Sequence, residues 1–294
     1  MSVRKLRTLI EVAATGSFSA AADRVFITHA AVSQQMKSLE LEFGVEIFDR
    51  SSRRPVLTSQ GRMITERAHR LIQDYDTLTQ MDNDPGFNGE INLGAVRTTL
   101  SAVIPQTLAR MAKTCPNLNI HVVPGLTMQL VEQVERGMID LALISRPRVL
   151  KSGLNWRVIA REKLTLLAPS SETLQDINEL LTTKPFIRFS RQAIIGGDIE
   201  SWLHSKSIRV QDRMELENIE AICTMVELGL GVSIVPFNPA YMKKSSDIRY
   251  LELDADIGVR ELGTICREDG IKQTAILALE QEMKNVCCRS FSRQ

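Results

Sequence analysis

The sequence predicts two domains of different class: an N-terminal winged helix-turn-helix, mainly α, extended by a linker helix, and a C-terminal α/β domain of two lobes. Three observations predict it. Short helical stripes with marked ends lie about three residues apart near the N-terminus, as a helix-turn-helix requires. The stretch 82–89, Asp-Asn-Asp-Pro-Gly-Phe-Asn-Gly, is a turn-rich boundary. Beyond it strand and helix patterns alternate, the signature of an α/β domain.

Val3, Leu6, Ile10 and Ala13 form the first stripe, and Gly16 ends it. Ser19 is placed to cap a short helix over 20–25, whose alanines allow a neighbour to approach closely. The third helix, over 28–44, organises the rest. Thr28 can cap its N-terminus, Gly44 stands where the chain leaves it, and neither proline nor glycine interrupts it. Val32, Met36, Leu39 and Phe43 recur at steps of four, three and four, which puts them on one buried stripe. His29, Ala30, Ser33, Gln34 and Lys37 fall on the other side. A polar helix face is usually plain solvated surface. Behind a helix-turn, short hydrogen-bonding groups and one cation at this spacing suit a major-groove wall. Downstream, 45–50 and 56–58 read as short strands around Ser51-Ser52-Arg53-Arg54-Pro55, a wing with cations at its tip.

The run Phe18-Ser19-x-Ala21-Ala22, then Ala31-Val32-Ser33-Gln34-Gln35-Met36-Lys37-x-Leu39-Glu40, then Gly44, Phe48-x-Arg50, Arg53 and Leu57-Thr58-x-x-Gly61 closely resembles the N-terminal signature of LysR-type transcriptional regulators. His29 departs from the glutamine usual there, and Ala30 from the common proline or serine, so base preference is expected to differ. On this reading Ser33 and Gln34, with His29, read base edges. Lys37, Arg50, Arg53 and Arg54 hold phosphates, and Ser19, Thr28 and Ala30 complete the DNA-facing set. The partners implied are double-stranded promoter DNA, a small-molecule effector and RNA polymerase.

Composition agrees with a globular protein. Of 294 residues 44% are apolar and 24% charged, and the length fits two or three domains. The net charge of +1 gives no whole-chain argument for nucleic acid, but residues 1–70 hold eleven Lys/Arg against seven Asp/Glu, a net of +4. No stretch has the apolar length of a signal peptide or membrane span, so a cytoplasmic protein without a membrane partner is expected. The five cysteines, at 115, 223, 266, 287 and 288, lack paired metal spacing; reduced thiols are the default, and no metal or cofactor is expected. Peroxide-sensing LysR-type proteins carry two nearby cysteines in mid-domain, whereas Cys223 stands alone, which leaves a thiol redox response as the lesser alternative. His29, His69, His121 and His204 are scattered, and Gly196-Gly197-Asp198 lacks the context of a nucleotide loop. An enzyme is not expected.

Ser59 can cap the next helix. In it Ile64, Ala68, Leu71, Tyr75 and Leu78 repeat at four, three, four and three, a coiled-coil seam of about two heptads. Packing on its own domain would also use such a seam, but the resemblance implies a linker helix that pairs two DNA-binding domains. The boundaries expected are 1–58 for the winged helix-turn-helix, 59–88 for the linker and hinge, and 89–294 for the α/β domain.

In that domain Ile91, Leu93 and Ala95 alternate in a strand, 120–123 and 141–144 read as two more, and helices lie between them, a parallel βαβαβ unit. Near Arg161 the chain crosses to a second lobe, with strands at 164–167, 186–189 and 232–235 and helices at 199–205 and 219–228; it returns at 262–266 to a C-terminal helix. The first lobe is thus expected over 89–161 and 266–294, the second over 162–265. Leu93-Gly94-Ala95, Gly137-x-x-Asp140-Leu141-Ala142-Leu143, Pro185-Phe186-Ile187 and Gly229-Leu230-Gly231-Val232-x-x-Val235-Pro236 resemble the LysR-type effector-binding domain, which implies a periplasmic-binding-protein-like clamshell.

Open parallel sheets bind ligands beyond the C-terminal ends of their strands, where helix N-termini offer unpaired N–H groups. In the first lobe those points are Arg97, Thr98 and Thr99, then Thr127, then Ser145 and Arg146. Hydroxyls with helix amides and an arginine favour a carboxylate or other small anion. The three threonines would equally serve as caps; the resemblance implies effector contacts at Thr98 and Thr127. Ser190, Arg191 and Ile194 are the second lobe's candidates. A homodimer or homotetramer is expected to hold paired winged helices on an inverted repeat, with ligand closure of the lobes changing their spacing. The alternative is an architectural DNA-binding protein that ignores ligands.

Overall fold

Left-handed glycines punctuate the N-terminal helices, as the sequence requires. The computed structural model describes residues 2–49, 55–79, 89–238, 244–253, 257–270 and 272–288, and the chain divides into two units. In the first unit, α1 (Val3–Thr15) ends at Gly16 with φ 61°, and α3 (His29–Phe43) at Gly44 with φ 68°. Thr28 caps α3 as expected, its hydroxyl accepting from the Ala31 amide at 3.2 Å. The cap of α2 (Phe18–Arg24) is Ser17 rather than Ser19, with its hydroxyl 3.3 Å from the Ala20 amide. Ser17 has the extended backbone that lets a side chain fold back over the first turn; Ser19 is already inside the helix and exposed.

Val32, Met36 and Leu39 are buried against Leu6, Leu9 and Val12 of α1 and the two alanines of α2. A two-residue strand β1 (Phe48–Asp49) pairs antiparallel with β2 (Val56–Leu57). Arg50, Arg53 and Arg54, between them, lie outside the described residues. The Glu40 carboxylate accepts from the amides of Ile47 and Phe48 at 2.9 and 3.3 Å, tying α3 to this ribbon.

Helix α4 (Ser59–Thr79) is capped by Thr58 rather than Ser59, the Thr58 hydroxyl accepting from the Gly61 amide at 2.9 Å. It packs closely because of Gly61, where a Cβ would lie 2.0 Å from the Ile47 carbonyl oxygen. The expected seam divides. Ala68 is buried and Ile64 half-buried in the domain's own core, joined by Ile72, while Leu71 and Tyr75 stay 38% and 43% exposed. The Leu78 side chain lies outside the described residues. A straight helix turns every 3.6 residues, so a 3.5-residue seam drifts off a single face, and here its first half faces inward.

The second unit opens with β3 (Gly89–Ala95), β4 (Leu118–Pro124) and β5 (Leu141–Ser145), parallel in the order β5-β3-β4. The crossovers are α5 (Val103–Thr114) and α6 (Thr127–Glu135), the βαβαβ unit expected. Its core of Ile91, Leu93, Leu141 and Leu143 is closed by Leu279 and Met283 of α10 (Gln273–Cys288).

Two long antiparallel strands, β6 (Leu154–Pro169) and β11 (Val259–Arg267), run through both lobes. The far half of β6 pairs with β9 (Ser233–Phe237) and β10 (Ile248–Glu252). Beside them β7 (Pro185–Phe189) and β8 (Gln211–Leu216) are parallel, packed by α7 (Ile177–Thr183), α8 (Ile194–Ser205) and α9 (Ile219–Glu227) around Phe186, Ile187, Ile222 and Ile234.

The second unit differs from the sequence expectation in three places. Residues 262–266 pair with β5 in the first lobe's sheet, so the return crossing precedes Leu262 and 262–265 belong to the first lobe. Helix α8 starts at Ile194, five residues before the expected Ile199, and runs through Gly196 and Gly197; a Cβ on Gly196 would sit 1.9 Å from the Ser190 carbonyl oxygen. The second lobe carries antiparallel strands on β6 and is not a plain repeat of the first. At the crossing Glu261 lies between Arg146 at 2.6 Å and Arg161 at 2.9 Å, which together hold its carboxyl below the usual range.

Candidate nucleic-acid interface and ligand cleft

On α3 the apolar stripe faces inward and leaves Thr28, His29, Ala30, Gln34 and Lys37 exposed, with Ser33 half-buried at the edge. These six predicted positions therefore share one solvent face. Ser19 is exposed near the start of α2. The His29 ring meets Phe18 edge-on at 6.1 Å, and Phe18 in turn meets Phe48 at 5.5 Å, so the first residue of α3 is oriented by the base of the ribbon. Lys5 of α1 donates to Ser38 at 2.8 Å, a contact that fixes α3 from behind. Residues 25–27 make the turn, with Phe26 left-handed at φ 55°. A short polar face on a helix held this rigidly can enter a major groove and meet base edges.

In the second unit a cleft opens between the lobes. Its first-lobe wall is Val96, Arg97, Thr98, Gly125, Leu126, Thr127 and Ser145, and its second-lobe wall Phe189, Ala193, Ile194, Ile195 and Glu217. Five predicted residues are thus brought together: Arg97, Thr98, Thr127, Ser145 and Ile194. The others are not. Thr99 is buried and donates to the Val96 carbonyl at 2.7 Å, closing a 3-10 turn over Arg97–Thr99. Arg146 turns to Glu261 on the outer surface. Ser190 is buried beneath α8, its hydroxyl accepting from the Gln192 amide. Arg191 also turns away, to Asp212 and Glu215.

Sequence reasoning missed two polar residues of the cleft, Glu217 at its mouth and Arg260 on β11 at its floor. Arg260 is 5% exposed and donates to Ser145 Oγ, Glu162 Oε2 and Thr98 Oγ1, each at 2.9 Å. Burial pushes the Glu162 carboxyl up, and the Arg260 guanidinium pulls it part of the way back. Because each hydroxyl accepts from Arg260, its own proton remains available to a ligand acceptor. Thr127 lines the cleft at 6% exposure with no hydroxyl partner among the described residues. At the mouth, Arg97 meets Glu217 of the opposite lobe at 2.7 Å, and Ser101 donates to Glu220. Val96, Leu126, Phe189, Ile194 and Ile195 supply the apolar parts of the walls.

The cysteines lie elsewhere. Cys223 is half-buried on α9, and burial with Glu227 and Glu220 nearby pushes its thiol up to about 11. Cys287 is pushed up to about 12 by burial first. Neither setting favours the thiolate that redox sensing needs. Among the described residues no group of acidic, histidine and cysteine side chains could hold a metal ion, and no helix is long and apolar enough to cross a membrane.

A capped helix with an exposed polar face in one unit and a two-lobed cleft in the other are the parts of a ligand-responsive DNA-binding regulator. Residues 3–62 match the bacterial regulatory helix-turn-helix proteins of the lysR family, and residues 85–288 match the LysR substrate binding domain. The chain belongs to the LysR family of transcriptional regulators, a family of DNA-binding proteins with an effector domain and not of enzymes. Its relatives include the HTH-type transcriptional regulator CzcR of Bacillus thuringiensis (strain Al Hakam), 30% identical over 237 residues that make up 80% of this chain and 78% of the relative. A probable RuBisCO transcriptional regulator of Gracilaria tenuistipitata var. liui is 28% identical over 79% of this chain and 78% of its own length. Among solved structures, full-length OxyR from Pseudomonas aeruginosa, a cysteine-to-aspartate variant, superposes with a TM-score of 0.79 at 20% identity, covering 100% of this chain and 99% of that one. Full-length CbnR in complex with its target DNA gives 0.63 at 20% identity, covering 97% and 100%. Likeness at this identity speaks to the fold.

Proposed function

We propose that Ser33 and Gln34, with His29, read base edges in promoter DNA, that Lys37, Arg50, Arg53 and Arg54 hold its phosphates, and that a small effector with a carboxylate closes the cleft between the lobes. The protein works in the cytoplasm as a homodimer or homotetramer, and RNA polymerase is the partner that reads its DNA-bound state. The observation that carries the effector reading is the convergence of the Thr127 hydroxyl and the α6 N-terminus on the same cleft that Arg260 floors. Ligand binding shifts the lobes only insofar as it favours one arrangement over the other.

The test is a thermal-shift screen of the full chain against small metabolites, since a ligand that binds only the folded state raises Tm by mass action. A hit is expected, and Thr127→Val should reduce its shift while DNA affinity without ligand stays the same. An unchanged shift in that variant would make Thr127 a structural cap. Silence across carboxylic acids, amino acids and aromatic acids would favour the architectural reading instead.

A further inference from the structure

The chemistry of the ligand can be narrowed further, resting on the effector reading above. Each arginine of the cleft already has a carboxylate beside it: Arg260 has Glu162 at 2.9 Å and Arg97 has Glu217 at 2.7 Å. Two guanidinium groups and two carboxylates leave the cleft with no net charge. Yet two helix N-termini open onto it from opposite lobes, α6 at Leu126 and Thr127 and α8 at Ala193 and Ile194. Neither Leu126 nor Ala193 has a side-chain oxygen with which to cap its helix; Gln129 Oε1 accepts from the Leu126 amide at 3.3 Å, and among the described residues no side chain accepts from the following amides at either end. The cleft therefore offers uncapped N–H donors for an anion and, on the opposite wall, a carboxylate whose present partner comes from across the gap.

A simple carboxylate entering here would draw Arg97 from Glu217 and leave two anions facing each other, a repulsion that partly closed surroundings sharpen. A simple amine would leave both helix ends without an acceptor and bring a third cation beside Arg97 and Arg260. A molecule with both charges exchanges with the existing pair at no loss of balance. We propose that the effector is a small zwitterion of the α-amino-acid type. Its carboxylate takes the amides of α6 and α8 together with Arg97, its ammonium takes the Glu217 carboxylate that Arg97 gives up, and an apolar remainder lies against Phe189 and Ile194. Because Arg97 and Glu217 belong to different lobes, this exchange joins the lobes through the ligand instead of through the direct ion pair.

The experiment compares matched ligands on the full chain by thermal shift and calorimetry. Each common amino acid is tested first. The apolar ones are then set against their skeletons lacking one charge: leucine against 4-methylpentanoate and 3-methylbutylamine, and phenylalanine against 3-phenylpropanoate and 2-phenylethylamine. At least one zwitterion should bind, with both single-charge counterparts weaker by tenfold or more. Glu217→Gln should weaken the zwitterion by about tenfold and narrow its advantage over the des-amino acid. Equal or tighter binding of the des-amino acid, or a Glu217→Gln protein with unchanged selectivity, would overturn the zwitterion while leaving the effector reading in place. So would silence from every amino acid when some other metabolite binds. If nothing in a broad metabolite set binds, both readings fail together. The comparison among ligands is made on the unaltered chain, so it decides the matter even where the variant does not fold.

Discussion

Arg260 shows how one buried side chain can define a site that no sequence motif announces. Each of its three nitrogens donates, to Ser145, Glu162 and Thr98, so it fixes two hydroxyls and holds one buried carboxylate in place. Removing it strands that carboxylate. Arg260→Met should lower the unfolding free energy by about 3–5 kcal/mol, whereas pairing it with Glu162→Met should restore much of the loss; urea titration of both variants checks this, and equal loss in the two would mean that the ion pair is not what matters. The cleft was partly legible beforehand, because Arg97, Thr98, Thr127 and Ser145 follow recognisable parallel strands at their C-terminal ends. Arg260 and Glu217 were not, since they come from the return strand and from the end of an unanticipated strand, where Val259-Arg260-Glu261 reads as an ordinary polar edge. Arg146 was misread for a related reason: it follows the right strand, but Glu261 of β11 draws it outward.

At the scale of elements, α4 is the proposed meeting surface of two chains. Its Ala68 and Ile72 are committed to the domain core, so the surface left for a partner is marked by Met63, Leu71 and Tyr75, at 52%, 38% and 43% exposure. Spacings of eight and four residues keep these three close to one helix face. Leu71→Asp with Tyr75→Asp is expected to weaken self-association by at least tenfold with little change in Tm at low protein concentration, as sedimentation velocity and thermal denaturation would report. A Tm drop of many degrees with unchanged association would return this face to the domain's interior. Helix ends and the first βαβαβ unit were readable because caps, left-handed glycines and period-two alternation are local signals. The edge between lobes was not, because 262–266 are apolar enough for either sheet and only pairing with β5 assigns them.

On the scale of the whole molecule, a DNA-binding helix-turn-helix is joined to an effector domain, and the proposed ligand acts through the arrangement of the lobes. Two helices with caps and a short turn made the DNA-binding half legible in the sequence, and the family match over residues 3–62 and 85–288 extends to both halves. The division of labour on the DNA is the claim most open to direct measurement. Duplexes enriched from a random pool by the protein itself, and scrambled controls, are titrated by fluorescence anisotropy across a range of salt with the wild type, Ser33→Ala and Arg53→Ala. Ser33→Ala should lose about 1–3 kcal/mol on the enriched duplex and almost nothing on the scrambled one. Arg53→Ala should weaken both alike and lower the salt slope by about 1. If both substitutions caused the same loss on both duplexes, α3 would be gripping DNA without reading it, and sequence-specific recognition by this helix would be wrong.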